Sequence, residues 1–303
     1  MNCSCSEKAV YFRRYSGQRF CKDCFNEYFE KKVLETVRKH KMVRRGEQIG
    51  VAVSGGKDST VLLHVLNKLS HQFEITLRAI LIDEGINEYR ESGIHSAQKM
   101  CASLGIGLSI VSFSDEIGYE LDDIVKEGEL KPCTYCGVFR RRLLNQEATR
   151  LGLDKLATGH NLDDEAQAMM MNYLSGDIER LYRLSGNVEA DSFIKRIKPL
   201  SKLPEKEVML YALLNSLNIS TDECPYAKDT QRVAVRDFLN KLEIERPGVK
   251  FSVVRGGERL VDSCVMEHNK LGSCRVCGQP AARDVCRVCE LTEEIKIKMR
   301  GVS

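Results

Sequence analysis

The residues with most chemistry to offer are the thirteen cysteines, because most of them fall in short pairs. Cys274-x-x-Cys277 and Cys286-x-x-Cys289 are two knuckles eight residues apart, a spacing that presents four thiolates to one tetrahedral zinc ion. Cys3, Cys5, Cys21 and Cys24 form a second four-thiolate zinc candidate, with C-x-C as its tighter first knuckle. A disulfide scaffold is the other use of so many cysteines, but this chain is long and opens without the apolar core of a secretory signal. In KPCTYCGVFRRR, Cys133 and Cys136 stand three apart at a helix start and share a face, and Cys224 in DECPYA is a third thiol. Three thiolates suit a 4Fe-4S cluster with one iron open to an outside ligand. A redox pair with Cys224 idle, or a zinc site with a further ligand, uses the same residues. Cys101 and Cys264 belong to no set and are expected to be core thiols.

The second chemical feature is SGGKDS, residues 54–59, after the apolar run QIGVAV. It is not a Walker A loop: Val51 stands where the first glycine belongs, and Asp58 where the magnesium-binding Ser/Thr belongs. A strand, a Ser-Gly-Gly turn and a helix N-terminus still bring backbone N–H groups and a helix dipole to one point, which is an anion site. Gly55 and Gly56 admit a phosphate closely, Lys57 adds positive charge, and Ser54 and Ser59 add hydroxyl donors. Asp58 beside a phosphate is repulsive unless a divalent cation lies between them, which argues for Mg²⁺. GHNLDDEAQ, 159–167, brings His160, Asn161, Asp163 and Asp164 to the same rim; Asp164 is the best second contact for Mg²⁺ or the bound phosphate, and helix capping is the blander role for both aspartates.

The elements that must position these residues alternate. Strands are expected at QIGVAVS, TLRAILID, GLSIVSF and DKLATG, and helices at STVLLHVLNKL, ESGIHSAQKMCASLG, EIGYELDDIVKEGE, YCGVFRRRLLNQEATRLG and LDDEAQAMMMNYL. Strand and helix in turn imply an α/β fold, a doubly wound parallel sheet whose ligand sits at the carboxyl ends of the strands. From Pro204 to about residue 265 the chain reads mainly helical. The division expected is an N-terminal zinc finger over 1–30, a central domain with the phosphate loop, the three-cysteine site and a helical C-terminal part over 31–269, and a C-terminal zinc ribbon over 270–303. No run of apolar residues is long enough to span a membrane, and a cytoplasmic protein is expected.

The loop SGGKDS at the end of the first strand resembles that of the N-type ATP pyrophosphatases (the PP-loop superfamily), which cut ATP between its α and β phosphates. With CTYCGVFRR, GHNLDDEAQ, ECPYA and the two cysteine-rich ends, the whole arrangement resembles the TtuA-type tRNA 2-thiouridine synthetases, the group that includes the cytosolic wobble-uridine thiolases. The family commonly begins with C-x-x-C and later C-x-x-H, where this chain has Cys3-x-Cys5 and Cys21-x-x-Cys24. The resemblance implies that Cys133, Cys136 and Cys224 hold a 4Fe-4S cluster, and that Lys57 and Asp58 act in catalysis with them. It further implies that Val53, Ser54, Gly55, Gly56, Lys57, Ser59, Ile82, Arg140, Gly159 and Asp164 meet ATP and Mg²⁺, and that the two ribbons bind zinc. The implied activity is that of a tRNA sulfurtransferase: a uridine C2 oxygen attacks the α-phosphate of ATP, pyrophosphate leaves, and a sulfur nucleophile then expels AMP. The wobble position is favoured over the T-loop, the sulfur donor is sulfide or a ubiquitin-like thiocarboxylate protein, and a homodimer is expected. A tRNA 2-thiocytidine synthetase and a non-catalytic zinc-ribbon scaffold for tRNA are the alternatives.

Charge agrees with a polyanionic partner. The net charge of +3 divides into +6 on residues 1–50, +3 on residues 270–303 and −6 on the rest, so basic ends flank an acidic middle.

Overall fold

A computed structural model describes residues 2–184, 193–227, 231–263 and 272–301. The chain opens with a small hairpin, β1 (Tyr11–Arg13) and β2 (Gln18–Phe20), followed by helix α1 (Lys22–Lys39). The alternating section then runs β3 (Gln48–Val53), α2 (Lys57–Phe73), β4 (Thr76–Asp83), α3 (Arg90–Leu104), β5 (Leu108–Ser112), α4 (Phe113–Ile117), α5 (Leu121–Glu127), α6 (Pro132–Arg150), β6 (Lys155–Ala157), α7 (Leu162–Leu174), α8 (Ile178–Leu184) and β7 (Lys195–Ile197). Helices α9 (Glu205–Leu214), α10 (Gln231–Glu245) and α11 (Val249–Ser263) follow, with a 3-10 turn at Pro225–Ala227. A short hairpin, β8 (Gly272–Ser273) and β9 (Pro280–Ala281), leads into α12 (Arg287–Gly301).

Five strands form one parallel sheet in the order β5-β4-β3-β6-β7. Alternation along the strands sends side chains to two cores. Ile49, Val51, Val53, Ala79, Leu81 and Ile197 join Phe25 and Phe29 of α1, the apolar face of α2 and Val208 of α9. Ile80, Ile82 and Leu156 on the other face join Phe139 and Leu143 of α6 and Leu291 and Ile295 of α12. A smaller cluster closes α7 against α10 and α11. The two-faced burial explains the continuous apolar runs in β3 and β4. Cys101 is buried in the first core as expected, whereas Cys264 lies outside the described residues.

Three local expectations change. The acidic helix over 116–129 is two helices, because Gly118 adopts φ +89° after α4 and the chain restarts at Leu121. Phe113, read as the end of a strand, begins α4, with the Ser112 hydroxyl accepting from Asp115 N at 3.0 Å. The fifth strand, β7, is too short to show a period of its own, and it takes its extended form from pairing with β6. Among the described residues no helix is long and apolar enough to cross a membrane.

Candidate active site

The sequence places Ser54, Gly55 and Gly56 between the carboxyl end of β3 and the first turn of α2, and the structure draws that turn tight. Gly55 has φ +82°, and a Cβ there would stand 2.1 Å from the Gly93 carbonyl oxygen of α3. Only glycine fits, on both conformational and steric grounds. The Ser59 hydroxyl accepts from Ser54 N at 3.0 Å and donates to the Gly56 carbonyl at 3.0 Å, while Ser54 Oγ accepts from Gly56 N at 3.3 Å. Val53, the last residue of β3, and Ile82, the last but one of β4, have side chains buried in the cores, so each offers only backbone to the rim.

Lys57 Nζ lies 3.0 Å from Asp58 Oδ2 and 2.7 Å from Glu205 Oε1 at the start of α9. Asn161 Nδ2 donates to Asp58 Oδ1 at 3.0 Å, which ties the loop to the start of α7. Gly159 eases that approach: a Cβ would stand 3.0 Å from the Asp58 carbonyl carbon and Ser59 N, so the loop would have to give slightly. Burial, then the Asp164 charge, pushes the Asp58 carboxyl above its ordinary range, against the pull of Lys57 and Asn161. Asp164 is raised in the same direction, by burial and by Glu205. Three carboxylates therefore converge around one lysine. Such a set favours a further cation.

The two aspartates of GHNLDDEAQ separate. Asn161 caps α7, and Asp164 closes the capping box by accepting from Asn161 N at 3.2 Å while its other oxygen lies 3.1 Å from Arg232 Nη1. Asp163 is buried, pairs with Lys250 and accepts from Glu205 N at 2.8 Å, so it anchors α9 and α11 and leaves the rim to Asp164. His160 bonds Thr158 Oγ1 at 2.8 Å. Glu84, just past β4, lies 2.9 Å from Arg90 Nε and 3.6 Å from Arg140 Nη1, and Arg90 also donates to the Ser54 carbonyl at 3.1 Å. Glu84 was missed, although a carboxylate just past a strand's carboxyl end could have marked it. Arg90, Glu205 and Arg232 were not legible, since their places appear only after α3, α9 and α10 have packed.

The three isolated cysteines come to this rim. Cys133 and Cys136 occupy the first turn of α6, which opens at Pro132 rather than at Tyr135, proline being a favoured first helical residue. Cys133 Sγ lies 3.6 Å from the carbonyl oxygen of Tyr226, in the turn that follows Cys224. Burial pushes the Cys136 thiol up to about 11, with Arg140 pulling the other way. A cavity of about 250 Å³ is lined by Cys133, Asp164, Gln167, Glu205 and Arg232. Cys133 thus shares one space with Asp164 and Glu205, two of the carboxylates grouped about Lys57.

Two sets of four thiols, Cys3, Cys5, Cys21 and Cys24, and Cys274, Cys277, Cys286 and Cys289, each lie within 4.8 Å of one another. Sulfurs of Cys5 and Cys21 are 3.6 Å apart, and those of Cys277 and Cys286 3.7 Å. Bonds of about 2.3 Å to one tetrahedral ion set sulfurs about 3.8 Å apart, so both sets match a single ion. Cys133, Cys136 and Cys224 do not form such a set, as thiolates bound to separate irons of a larger group would not.

Comparison with known proteins agrees. Residues 25–243 match the PP-loop domain, and residues 2–26 match the N-terminal LIM domain of the 2-thiouridine synthetase TtuA. A probable sulfurtransferase of Methanocaldococcus jannaschii is 39% identical, covering 98% of this chain and 88% of that protein. The tRNA-5-methyluridine(54) 2-sulfurtransferase of Pyrococcus horikoshii is 37% identical over 99% of this chain and 97% of its own. The solved U34-tRNA thiolase NcsA of Methanococcus maripaludis, with its [4Fe-4S] cluster, superposes with a TM-score of 0.87 at 40% identity, covering 97% of this chain and 96% of that one. The chain belongs to the PP-loop family of TtuA- and NcsA-type tRNA 2-thiolation proteins.

Proposed function

We propose that this chain is a tRNA sulfurtransferase that uses ATP to replace the C2 oxygen of a tRNA uridine with sulfur. The observation that carries the reading is the shared cavity, in which Cys133 faces Asp164 and Glu205, the carboxylates grouped about Lys57. Activation and sulfur delivery then act on one bound base.

Val53, Ser54, Gly55, Gly56, Ser59, Ile82, Gly159 and Arg140 hold the nucleotide, the backbone of the loop donating to its phosphates. Lys57, released from Glu205, offsets charge on the phosphates as the uridine oxygen attacks the α-phosphate and pyrophosphate leaves; Asp58 and Asp164 would hold Mg²⁺, which would supply further positive charge there. Cys133, Cys136 and Cys224 would hold a 4Fe-4S cluster, which would supply one iron without a protein thiolate, a Lewis-acidic position for the sulfur donor. The two sets of four thiolates hold structural zinc. Residues 1–30 and 270–303 act as zinc modules about the catalytic section, 31–269. The wobble uridine is the favoured target, supported by the likeness to the U34 thiolase; the likeness to the uridine-54 enzyme favours the T-loop as the second reading. Anaerobic protein given ATP, Mg²⁺, sulfide and unmodified tRNA should release pyrophosphate and yield 2-thiouridine by nucleoside mass spectrometry. Thiolation without AMP formation, or neither product from metal-loaded protein, would remove the proposal.

A further inference from the structure

Three arginines at the rim face a carboxylate. Arg90 and Arg140 face Glu84, and Arg232 faces Asp164. Three others do not. Arg141 on α6, Arg180 on α8 and Arg196 on β7 have no carboxylate within ion-pair distance among the described residues, although all are solvent-exposed. Arg141 and Arg196 are in contact, and Arg180 is near enough to Arg141 to repel it. Surrounding protein and the charges of Arg140 and Arg180 disfavour the Arg141 cation, while Arg141 and Arg140 do the same to Arg196.

The cluster is held on regular elements. Strand β7 is fixed by pairing Arg196 with Leu156 of β6, and its start is fixed by Ile194 N donating to Asn145 Oδ1 of α6 at 2.9 Å. Leu156 feeds the core beneath α6, whereas its pair on the sheet edge, Arg196, carries a guanidinium to that face. Arg196 Nη2 donates to the Arg141 carbonyl at 3.3 Å, and the Arg141 guanidinium lies over Gly137, the residue after Cys136. Like charges gathered on rigid elements without an anion destabilise the free protein. An anionic ligand relieves that cost, and phosphate oxygens match the planar donor fork of arginine.

We propose that Arg141, Arg180 and Arg196 form a phosphodiester-binding face that takes the RNA backbone beside the base being modified. The face adjoins the helix turn that carries Cys136, so a strand held there presents its nucleotide to the cavity. ATP offers the same chemistry from another source, but its phosphates have a site of their own in the turn after β3. The proposal rests on the tRNA reading above, and the assay separates the two: thiolation by the parent protein tests the reading, and the difference between parent and variants tests the face.

The full chain is compared as R141Q/R196Q and R141K/R196K with the parent, by fluorescence anisotropy of labelled unmodified tRNA across a salt series and by ATP affinity without RNA. The glutamine pair should weaken tRNA binding about tenfold or more at moderate salt and lower the log–log salt slope by between about one and two. ATP affinity should stay within twofold, and the lysine pair should regain most of the salt-dependent affinity. Since glutamine removes repulsion, that variant should melt at or above the parent temperature without RNA. Unchanged tRNA binding would overturn the proposal, as would a loss confined to ATP. So would a lowered melting temperature with both ligands weakened, which marks the arginines as structural.

Discussion

The carboxylates around Lys57 show how one residue can cost stability and supply activity. Asp58 is held above its ordinary range by burial, and its neighbours Asp164 and Glu205 add negative charge. For the metal-free fold the sign follows from that upward shift: the stability it contributes is present below the ordinary aspartate value and lost as pH rises through the raised one. Asp58→Asn keeps an oxygen for Asn161 and removes the buried charge. At pH 7 without Mg²⁺ it should unfold at a temperature no lower than the parent, yet lose at least about a hundredfold in tRNA-dependent AMP formation. Unfolding curves and AMP assays on the same preparation check both halves. Metal binding runs the other way, since it needs ionised carboxylates. Mg²⁺-dependent ATP affinity should therefore begin to fall, on acidification, at a higher pH than an ordinary aspartate gives, a trend calorimetry across pH would record. Lys57, Asp58 and Asp164 were legible because their motif sits at a strand's carboxyl end, whereas Glu205 lies far along the chain and reaches Lys57 only through the packing of α9.

Elements fix how closely the reacting pieces approach. Gly55→Ala would have to shift α3, whose Gly93 backbone occupies the space of the new methyl group. It should abolish ATP binding measured directly, while secondary structure by circular dichroism persists. In α1, Phe25, Phe29, Val33 and Val37 recur every four residues and are at most 1% exposed, so the helix belongs to the core shared with β3 and β4. Phe29→Ala should cost about 3–5 kcal/mol in denaturant unfolding. Strands β3 and β4 were legible from their apolar runs, and α2 and α7 from helical periodicity. The break within 116–129 was not, since Gly118 sits inside an otherwise helical pattern and only its left-handed backbone ends α4. Strand β7 was missed for the opposite reason, as LysArgIle carries no alternation that three residues can display.

At the scale of the whole molecule, the C-terminal ribbon is less separable than its basic composition suggests. Leu291 and Ile295 of α12 are buried in the core beneath α6, and Tyr135 Oη, one residue before Cys136, donates to Glu294 at 3.4 Å. Removing residues 270–303 should therefore lower iron content as well as tRNA affinity, which metal analysis of the truncated protein would register. Intact anaerobic protein should carry about four irons and two zincs. Serine at Cys133, Cys136 or Cys224 should remove the iron and stop thiolation but spare tRNA-dependent AMP formation, while Cys101→Ser does neither, and absorbance with nucleoside analysis tells these apart. The three-thiol set was legible as chemistry, but its neighbourhood to the nucleotide loop depends on a contact no motif announces: Ser220 N donates to the Gly55 carbonyl at 2.9 Å, and Gly56 pairs with Ser220 as an isolated parallel bridge. Cys224 follows four residues later, so the backbone tether between loop and thiol is at most about 14 Å when fully extended. An activated base in this cavity has no journey to make before it meets sulfur, and a scavenging nucleophile added to bulk solvent during turnover should intercept almost none of it.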